Sequence, residues 1–231
     1  MAYDDLQDFL AALEARGELK RIKAEVDPEL EITEIADRVM RSGGPALLFE
    51  RVRGSRWPLV INAMGSEARM ALAFGAESLD AKAAEIEGHI AWLWKQLRGF
   101  SLLSAVPEAL PRLPAALSLL PKRVARPICR EVIAEDEGFD SLPVLRCWPG
   151  DGGRFLTLPV VCTRDPETGA QNMGMYRMQV YDDRTAGMHW HLHKDGAHFF
   201  QKYRERGEMM PVAVALGSDP AVTYASTAPL P

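Results

Sequence analysis

Histidines are concentrated in one short stretch of this 231-residue sequence. Four of the five histidines are His189, His191, His193 and His198. A strand over 188–192 would place alternate histidines on one face and apolar side chains on the other, because side chains alternate along a strand. Imidazoles that share a face can ligate a metal or hold a phosphate. The alternative interpretation is the solvent-facing polar side of an ordinary strand.

A single arginine interrupts an apolar β-like segment. Residues 171–179 read Gln-Asn-Met-Gly-Met-Tyr-Arg-Met-Gln. A buried guanidinium is costly without a partner, so Arg177 is predicted to meet a carboxylate or a phosphate of the protein or of a ligand. The alternative is an exposed arginine on an edge strand. The sequence contains no GxGxxG, GxxxxGK[ST], HExxH or GxSxG motif, which removes support for dinucleotide-binding, P-loop, zincin and nucleophile-elbow interpretations.

The elements that must position these residues follow two patterns. Residues 1–105 alternate helices with short strands, which predicts a small α/β domain. Repeated prolines over 106–127 predict a linker, since long helices do not tolerate them. Residues 128–231 predict a mainly antiparallel β domain that forms part of a barrel. The predicted helices are 3–16, 31–41, 68–74, 81–97 and 197–205. The predicted strands are 19–22, 46–49, 58–62, 128–134, 155–163, 174–181, 188–192 and 211–216.

Composition restricts the class of protein. Apolar residues make up 47% and charged residues 26% of the chain, the net charge is −5 and the pI is about 5.6. This balance predicts a globular protein that is not held to nucleic acid by its overall charge. Three cysteines without a CxxC pair favour reduced thiols. With an acidic start and no apolar run of membrane length, the expected location is the cytoplasm.

Several segments together resemble the UbiD family of decarboxylases. These segments are YDDLQDFLAALEARGELKRI, VDPELEITEIADR, GGPALLFE, CWPGDGG, NMGMYRMQV and VAVALGSDP, in the family's order and across the whole chain. The resemblance implies a reversible decarboxylase of aromatic or α,β-unsaturated acids that uses prenylated FMN. It also implies a divalent metal, typically Mn²⁺, often with K⁺, at the cofactor phosphate. The implied cofactor domain is a split β-barrel related to flavin reductases.

The resemblance also assigns site residues. It makes Asn172 and His193 metal ligands, and it makes Arg177 the arginine that pairs with a catalytic glutamate and the substrate carboxylate. Further cofactor-contacting positions are Met175, Tyr176, Arg177, His189, Trp190, His191, Lys194 and Asp195. Because Asn172 and Arg177 have opposite parity on one strand, Asn172 is expected in the entering turn or at a bulge if both residues serve one site. The stretch MHWHLHKDGA resembles relatives assigned to menaquinone synthesis more than those of the ubiquinone pathway, so a 4-hydroxybenzoate-type or a naphthoate-type acid is expected.

In the family, the third metal ligand and both catalytic glutamates follow the position of Pro231. The chain tested alone is therefore expected to be inactive as a decarboxylase. The alternatives are a non-catalytic flavin-phosphate or metal-binding module, a subunit of a split enzyme, and a histidine-cluster metal protein unrelated to flavin. An unpaired strand near 211–223 would expose apolar surface. The expected partner for this surface is a second copy of the chain or a missing C-terminal half.

Overall fold

The computed structural model describes residues 3–98 and 124–228. The chain divides into two compact units: Met1–Ser78 with Glu137–Pro231, and Leu79–Asp136. The proposed linker at 106–127 lies almost wholly outside the described residues, so the division into 1–105, 106–127 and 128–231 stays a prediction. The second unit contains the 20-residue helix α4, Leu79–Arg98.

The N-terminal part of the first unit is the predicted α/β arrangement. Its elements are α1 (Leu6–Ala15), β1 (Leu19–Val26), α2 (Glu31–Arg41), β2 (Ala46–Val52), β3 (Leu59–Ile61) and α3 (Glu67–Ala73). Strand β2 lies between β1, which is parallel to it, and β3, which is antiparallel.

Both faces of β2 are covered, so it is buried along most of its length. Ala46 and Leu48 pack into one apolar cluster with α1 and α3. Leu47 and Phe49 point the other way, into a cluster with Ile32 of α2. Alternate residues of one strand therefore supply two separate cores.

The C-terminal part contains two small antiparallel sheets. Their strands are β4 (Arg154–Leu156), β5 (Val160–Arg164), β6 (Gln171–Met175), β7 (Met178–Val180), β8 (Ala186–Met188) and β9 (Ala213–Ala215). One sheet has the order β4-β7-β8 and the other β6-β5-β9. The helices are α5 (Asp195–Glu205) and α6 (Pro220–Ala225). The described strands form two open sheets and no closed barrel.

Two long predicted strands are each broken into two. The strand predicted over 155–163 stops before Pro159, which has no N–H to donate to a ladder, and its halves join different sheets as β4 and β5. The strand predicted over 174–181 breaks at Tyr176 and Arg177, and its halves β6 and β7 also join different sheets. A period-two pattern predicts strand character, but it does not reveal where a chain passes from one sheet to another.

Three further strand predictions need correction. Residues 128–134 form no strand and hold only the short 3₁₀ turn Ile128–Arg130, in which Ile128 is 80% exposed. Residues with high β-propensity form a strand only where they can pack against a neighbouring strand. The strand predicted over 188–192 ends at Met188. Residues 211–223 are not an unpaired strand, since β9 pairs with β5 and a helix begins at Pro220.

Candidate functional site

The predicted site residues come from two segments that meet where the two sheets join. Asn172 lies within β6 in regular register opposite Thr163, so the expectation of an entering turn or a bulge is wrong. Strand alternation cannot relate the side chains of Asn172 and Arg177, because β6 ends at Met175 and β7 begins at Met178, which leaves Arg177 outside both strands. The second segment leaves β8 as a loop, and the His189 N–H donates to the Arg177 carbonyl at 3.0 Å.

Tyr176 connects these two segments. Its side chain is 3% exposed. Its hydroxyl accepts a hydrogen bond from the Gly196 N–H at 3.0 Å and lies 3.4 Å from Asn172 Oδ1. Asn172 Nδ2 donates to Asp195 Oδ2 at 3.2 Å. The first turn of α5 and strand β6 are thereby held together by polar contacts.

The Tyr176 ring occupies a closely fitted space. A Cβ atom on Gly174 would collide with the ring, and one on Gly196 would lie 2.9 Å from both Tyr176 Cζ and its hydroxyl. The Trp190 ring packs edge-on at a centroid distance of 4.8 Å. Burial raises the pKa of Tyr176, the Gly196 N–H opposes that rise and the Asp195 charge adds to it. The phenol is therefore neutral and keeps its proton for donation near neutral pH.

Arg177 is exposed and carries its charge over an aromatic ring. The guanidinium carbon lies 4.5 Å from the centroid of Phe155, a cation–π contact. Among the described residues, no carboxylate forms an ion pair with Arg177. The structure therefore agrees with the alternative of an exposed arginine, although Arg177 lies at the break between two strands and not on an edge strand. Its donors are free to bind an anion.

The histidine segment is a loop rather than a strand. His189, His191 and His193 are all exposed, and the last two rings lie 5.5 Å apart. The Lys194 N–H donates to the His191 carbonyl at 3.0 Å, which closes the turn that leads into α5. Alternation along a strand therefore does not apply to these three side chains. Within residues 3–98 and 124–228, no three His, Cys, Asp or Glu side chains cluster as a metal site.

Sequence reasoning missed an apolar cleft beside the loop. The cleft has a volume of about 510 Å³, and Trp190 stacks on Phe200 across a centroid distance of 6.3 Å. Its other lining residues are Met188, Arg204, Gly207, Glu208, Met209, Met210 and Val212. The pair Met209-Met210, which follows a charged helix, could have predicted this cleft from the sequence, since exposed methionines often line adaptable binding surfaces.

A second unpredicted feature ties α5 to the turn between β5 and β6. Lys202 Nζ lies 2.8 Å from both Asp165 Oδ2 and Glu167 Oε2. The Lys202 ammonium and the Glu167 N–H hold the pKa of Asp165 at about 2, below its ordinary 3.8. This contact fixes the C-terminal half of α5, whereas the Gly196 contact fixes its start.

No helix in the described ranges is both long and apolar enough to span a membrane.

Comparison with known proteins gives matches over most of the chain. The family described as 3-octaprenyl-4-hydroxybenzoate carboxy-lyase matches through its N-terminal domain at residues 10–86 and its Rift-related domain at residues 122–231. An uncharacterized protein of Archaeoglobus fulgidus is 48% identical over 232 residues, and one of Aquifex aeolicus is 42% identical over 235. The chain spans 47% of the length of each of these relatives.

Solved structures of the same class share the fold. Vanillic acid decarboxylase of Sedimentibacter hydroxybenzoicus in its closed form matches with a TM-score of 0.79 and 28% identity, over 99% of this chain and 46% of that one. An evolved dimeric form of the UbiD-class enzyme HmfF of Pelotomaculum thermopropionicum, in complex with prenylated FMN, matches with a TM-score of 0.73 and 29% identity. It covers 97% of this chain and 46% of that one. The chain belongs to the UbiD family.

Proposed function

We propose that this chain supplies the cofactor-binding region of a UbiD-class decarboxylase that acts on an aromatic carboxylic acid with prenylated FMN. The observation that carries the proposal is the cluster of Asn172, Tyr176 and Asp195 at the junction of the two sheets, flanked by exposed cationic side chains. The similar HmfF structures hold prenylated FMN in one case and FMN in another. We further propose that the two sheets belong to a flavin-reductase-like split barrel.

The residues present fit a phosphorylated flavin. Arg177, Lys194 and the loop histidines His189 and His191 are exposed on either side of the junction. The Lys194 ammonium and the ring nitrogens of the loop histidines suit a phosphate, which is the most polar part of the cofactor. Trp190 offers an aromatic surface beside them, and we propose that Met175 and Tyr176 contact the cofactor from the strand side.

The residues also fit a hard cation at that phosphate. Asn172 Oδ1 is an amide oxygen, and the Asp195 carboxylate lies next to the same side chain. Oxygen donors of this kind suit Mn²⁺ and, with less demanding geometry, K⁺. We propose Asn172 and His193 as ligands, with the cofactor phosphate completing part of the coordination sphere.

Arg177 is proposed to hold the substrate carboxylate. Its guanidinium presents paired donors that match a carboxylate, and the Phe155 ring restricts its position. Prenylated FMN, when bound, supplies the electron sink for loss of CO₂. In the whole enzyme a carboxylic acid would deliver a proton to the product carbon and take up another proton from solvent before the next turnover, and Arg177 would stabilise its ionised form in between. The substrate is proposed to be a 4-hydroxybenzoate-type or naphthoate-type acid of ubiquinone or menaquinone synthesis.

Calorimetric titration with FMN in the presence of Mn²⁺ tests the proposal. The parent chain should bind FMN more tightly than riboflavin, which lacks the phosphate. Lys194→Gln should weaken FMN binding several-fold, whereas Lys23→Gln, an exposed lysine on β1, should not. A parent chain that binds neither flavin, or binds both equally, would contradict the assignment of the phosphate site.

Catalysis by this chain alone is a separate question. Since no carboxylate among the described residues pairs with Arg177, we propose that the chain with prenylated FMN, Mn²⁺ and K⁺ releases no CO₂ from 4-hydroxybenzoate-type or naphthoate-type acids. Flavin binding without turnover is also what a non-catalytic module or a subunit of a split enzyme would give. Any CO₂ release would refute the proposed inactivity, and sedimentation of the chain alone would show whether it self-associates.

A further inference from the structure

We infer that Tyr176 is a positioning residue: its hydroxyl orients the Asn172 carboxamide so that Oδ1 can receive a cation. The inference rests on the metal role proposed for Asn172. It concerns one side chain whose hydroxyl joins β6 to the first turn of α5.

The protons in this cluster can be assigned from its chemistry. The Gly196 N–H lies in the first turn of α5, where backbone N–H groups have no acceptor within the helix, and it donates to the Tyr176 hydroxyl at 3.0 Å. The hydroxyl oxygen is therefore an acceptor for this bond. Its own single proton remains for Asn172 Oδ1, 3.4 Å away.

Asp195 excludes the opposite orientation of the amide. The carboxylate has no proton to give, and its Oδ2 lies 3.2 Å from Asn172 Nδ2. A flipped amide would set two acceptors, the carboxylate and Oδ1, against each other. Together, Tyr176 and Asp195 select one orientation, in which Oδ1 keeps a second lone pair for a cation.

The hydroxyl is held at a fixed place. Gly174 and Gly196 flank the Tyr176 ring so closely that neither has room for a methyl group, and Trp190 packs against its edge. Asn172, by contrast, is only half-buried. Without its contact to the Tyr176 hydroxyl, its side chain would lose rotamer freedom on binding a cation. Removing a partner that orients a metal ligand typically costs about 10- to 100-fold in metal affinity.

The test compares two tyrosine-to-phenylalanine variants of the full chain. Tyr176→Phe removes the hydroxyl and keeps the ring. Tyr181→Phe makes the same change on a ring that is 64% exposed. Free Mn²⁺ is measured by electron paramagnetic resonance during titration in the presence of FMN. Hydrogen exchange of the Gly196 amide is measured by NMR without metal, as a readout of the polar contact itself.

Tyr176→Phe should weaken Mn²⁺ binding about tenfold or more and speed Gly196 exchange, whereas Tyr181→Phe should match the parent in both. A parent chain that binds Mn²⁺ and a Tyr176→Phe variant that binds it equally well would overturn the inference and leave the metal proposal standing. A parent chain that binds no Mn²⁺ would overturn both. Equal loss of affinity in the two variants would also overturn the inference, because the effect would not depend on this hydroxyl.

Discussion

A methyl group added at Gly196 should destabilise the first compact unit. In Gly196→Ala the new Cβ would lie 2.5 Å from Trp190 Cζ3 and 2.9 Å from Tyr176 Cζ and its hydroxyl. Ordinary contacts need more than 3.4 Å, so either the aromatic rings or α5 must shift. Overpacking of this kind costs about 1–3 kcal/mol, and the better helix propensity of Ala returns up to about 1 kcal/mol. The expected net loss is about 1–2 kcal/mol.

Gly88→Ala is a matched control, because Gly88 also lies in a helix but a Cβ there would contact nothing within 4 Å. At roughly 2–4 °C per kcal/mol for a chain of this size, Gly196→Ala should melt about 2–8 °C below the parent, followed by circular dichroism. Gly88→Ala should melt at or above the parent temperature. Equal melting temperatures for the two variants would refute the claim that Gly196 is sterically confined.

Three further perturbations test the charges around the site. Lys202→Met removes the ammonium that holds the pKa of Asp165 at about 2. A lowered carboxyl pKa stabilises the fold above pH 4, and this contribution is lost as the pH falls through 2. The free energy of unfolding in urea should therefore be lower for the variant than for the parent at pH 6, and the two values should converge near pH 2. His193→Ala should abolish Mn²⁺ retention in the presence of FMN, and unchanged retention would move the site to the other loop histidines. In a full-length UbiD-class protein that contains this sequence, Arg177→Lys should lower turnover on the order of 10²-fold, about 2.7 kcal/mol of barrier, with FMN binding kept; a near-parental rate would make Arg177 a structural residue.

The N-terminal half of the first unit could be predicted from the sequence because local signals agree with the packing. Helix α2 occupies 31–41, as predicted; Asp27-Pro28 lies before its start and Ser42-Gly43 follows its end, and these residue types commonly begin and end helices. Strand β2 begins at Ala46, as predicted, and its first four residues form an apolar run that is buried on both faces, but the strand continues to Val52 beyond the predicted end at residue 49. In both elements the apolar pattern was sufficient to predict the type and the start, since each element lies within one sheet or on one face of it.

The C-terminal half could be predicted only in type, because its decisive features are not local. The residues around Tyr176 have the alternation of one strand, yet tertiary packing divides them between two sheets. The histidine loop has strand-like spacing, but the backbone turns at His191 to begin α5. The steric role of Gly196 depends on Tyr176 and Trp190, which are 20 and 6 residues away in sequence, and no short window contains both contacts.

The arrangement separates groups that could bind ligands from groups that hold them in place. Lys194 and His193 are exposed, so replacing them should change the free energy of unfolding by no more than about 0.5 kcal/mol. Tyr176 and Gly196 are buried against each other, so replacing them should alter both folding stability and binding. A variant that loses flavin or Mn²⁺ with unchanged melting therefore identifies a direct ligand. A variant that loses binding and stability together identifies a residue that supports a ligand-binding group.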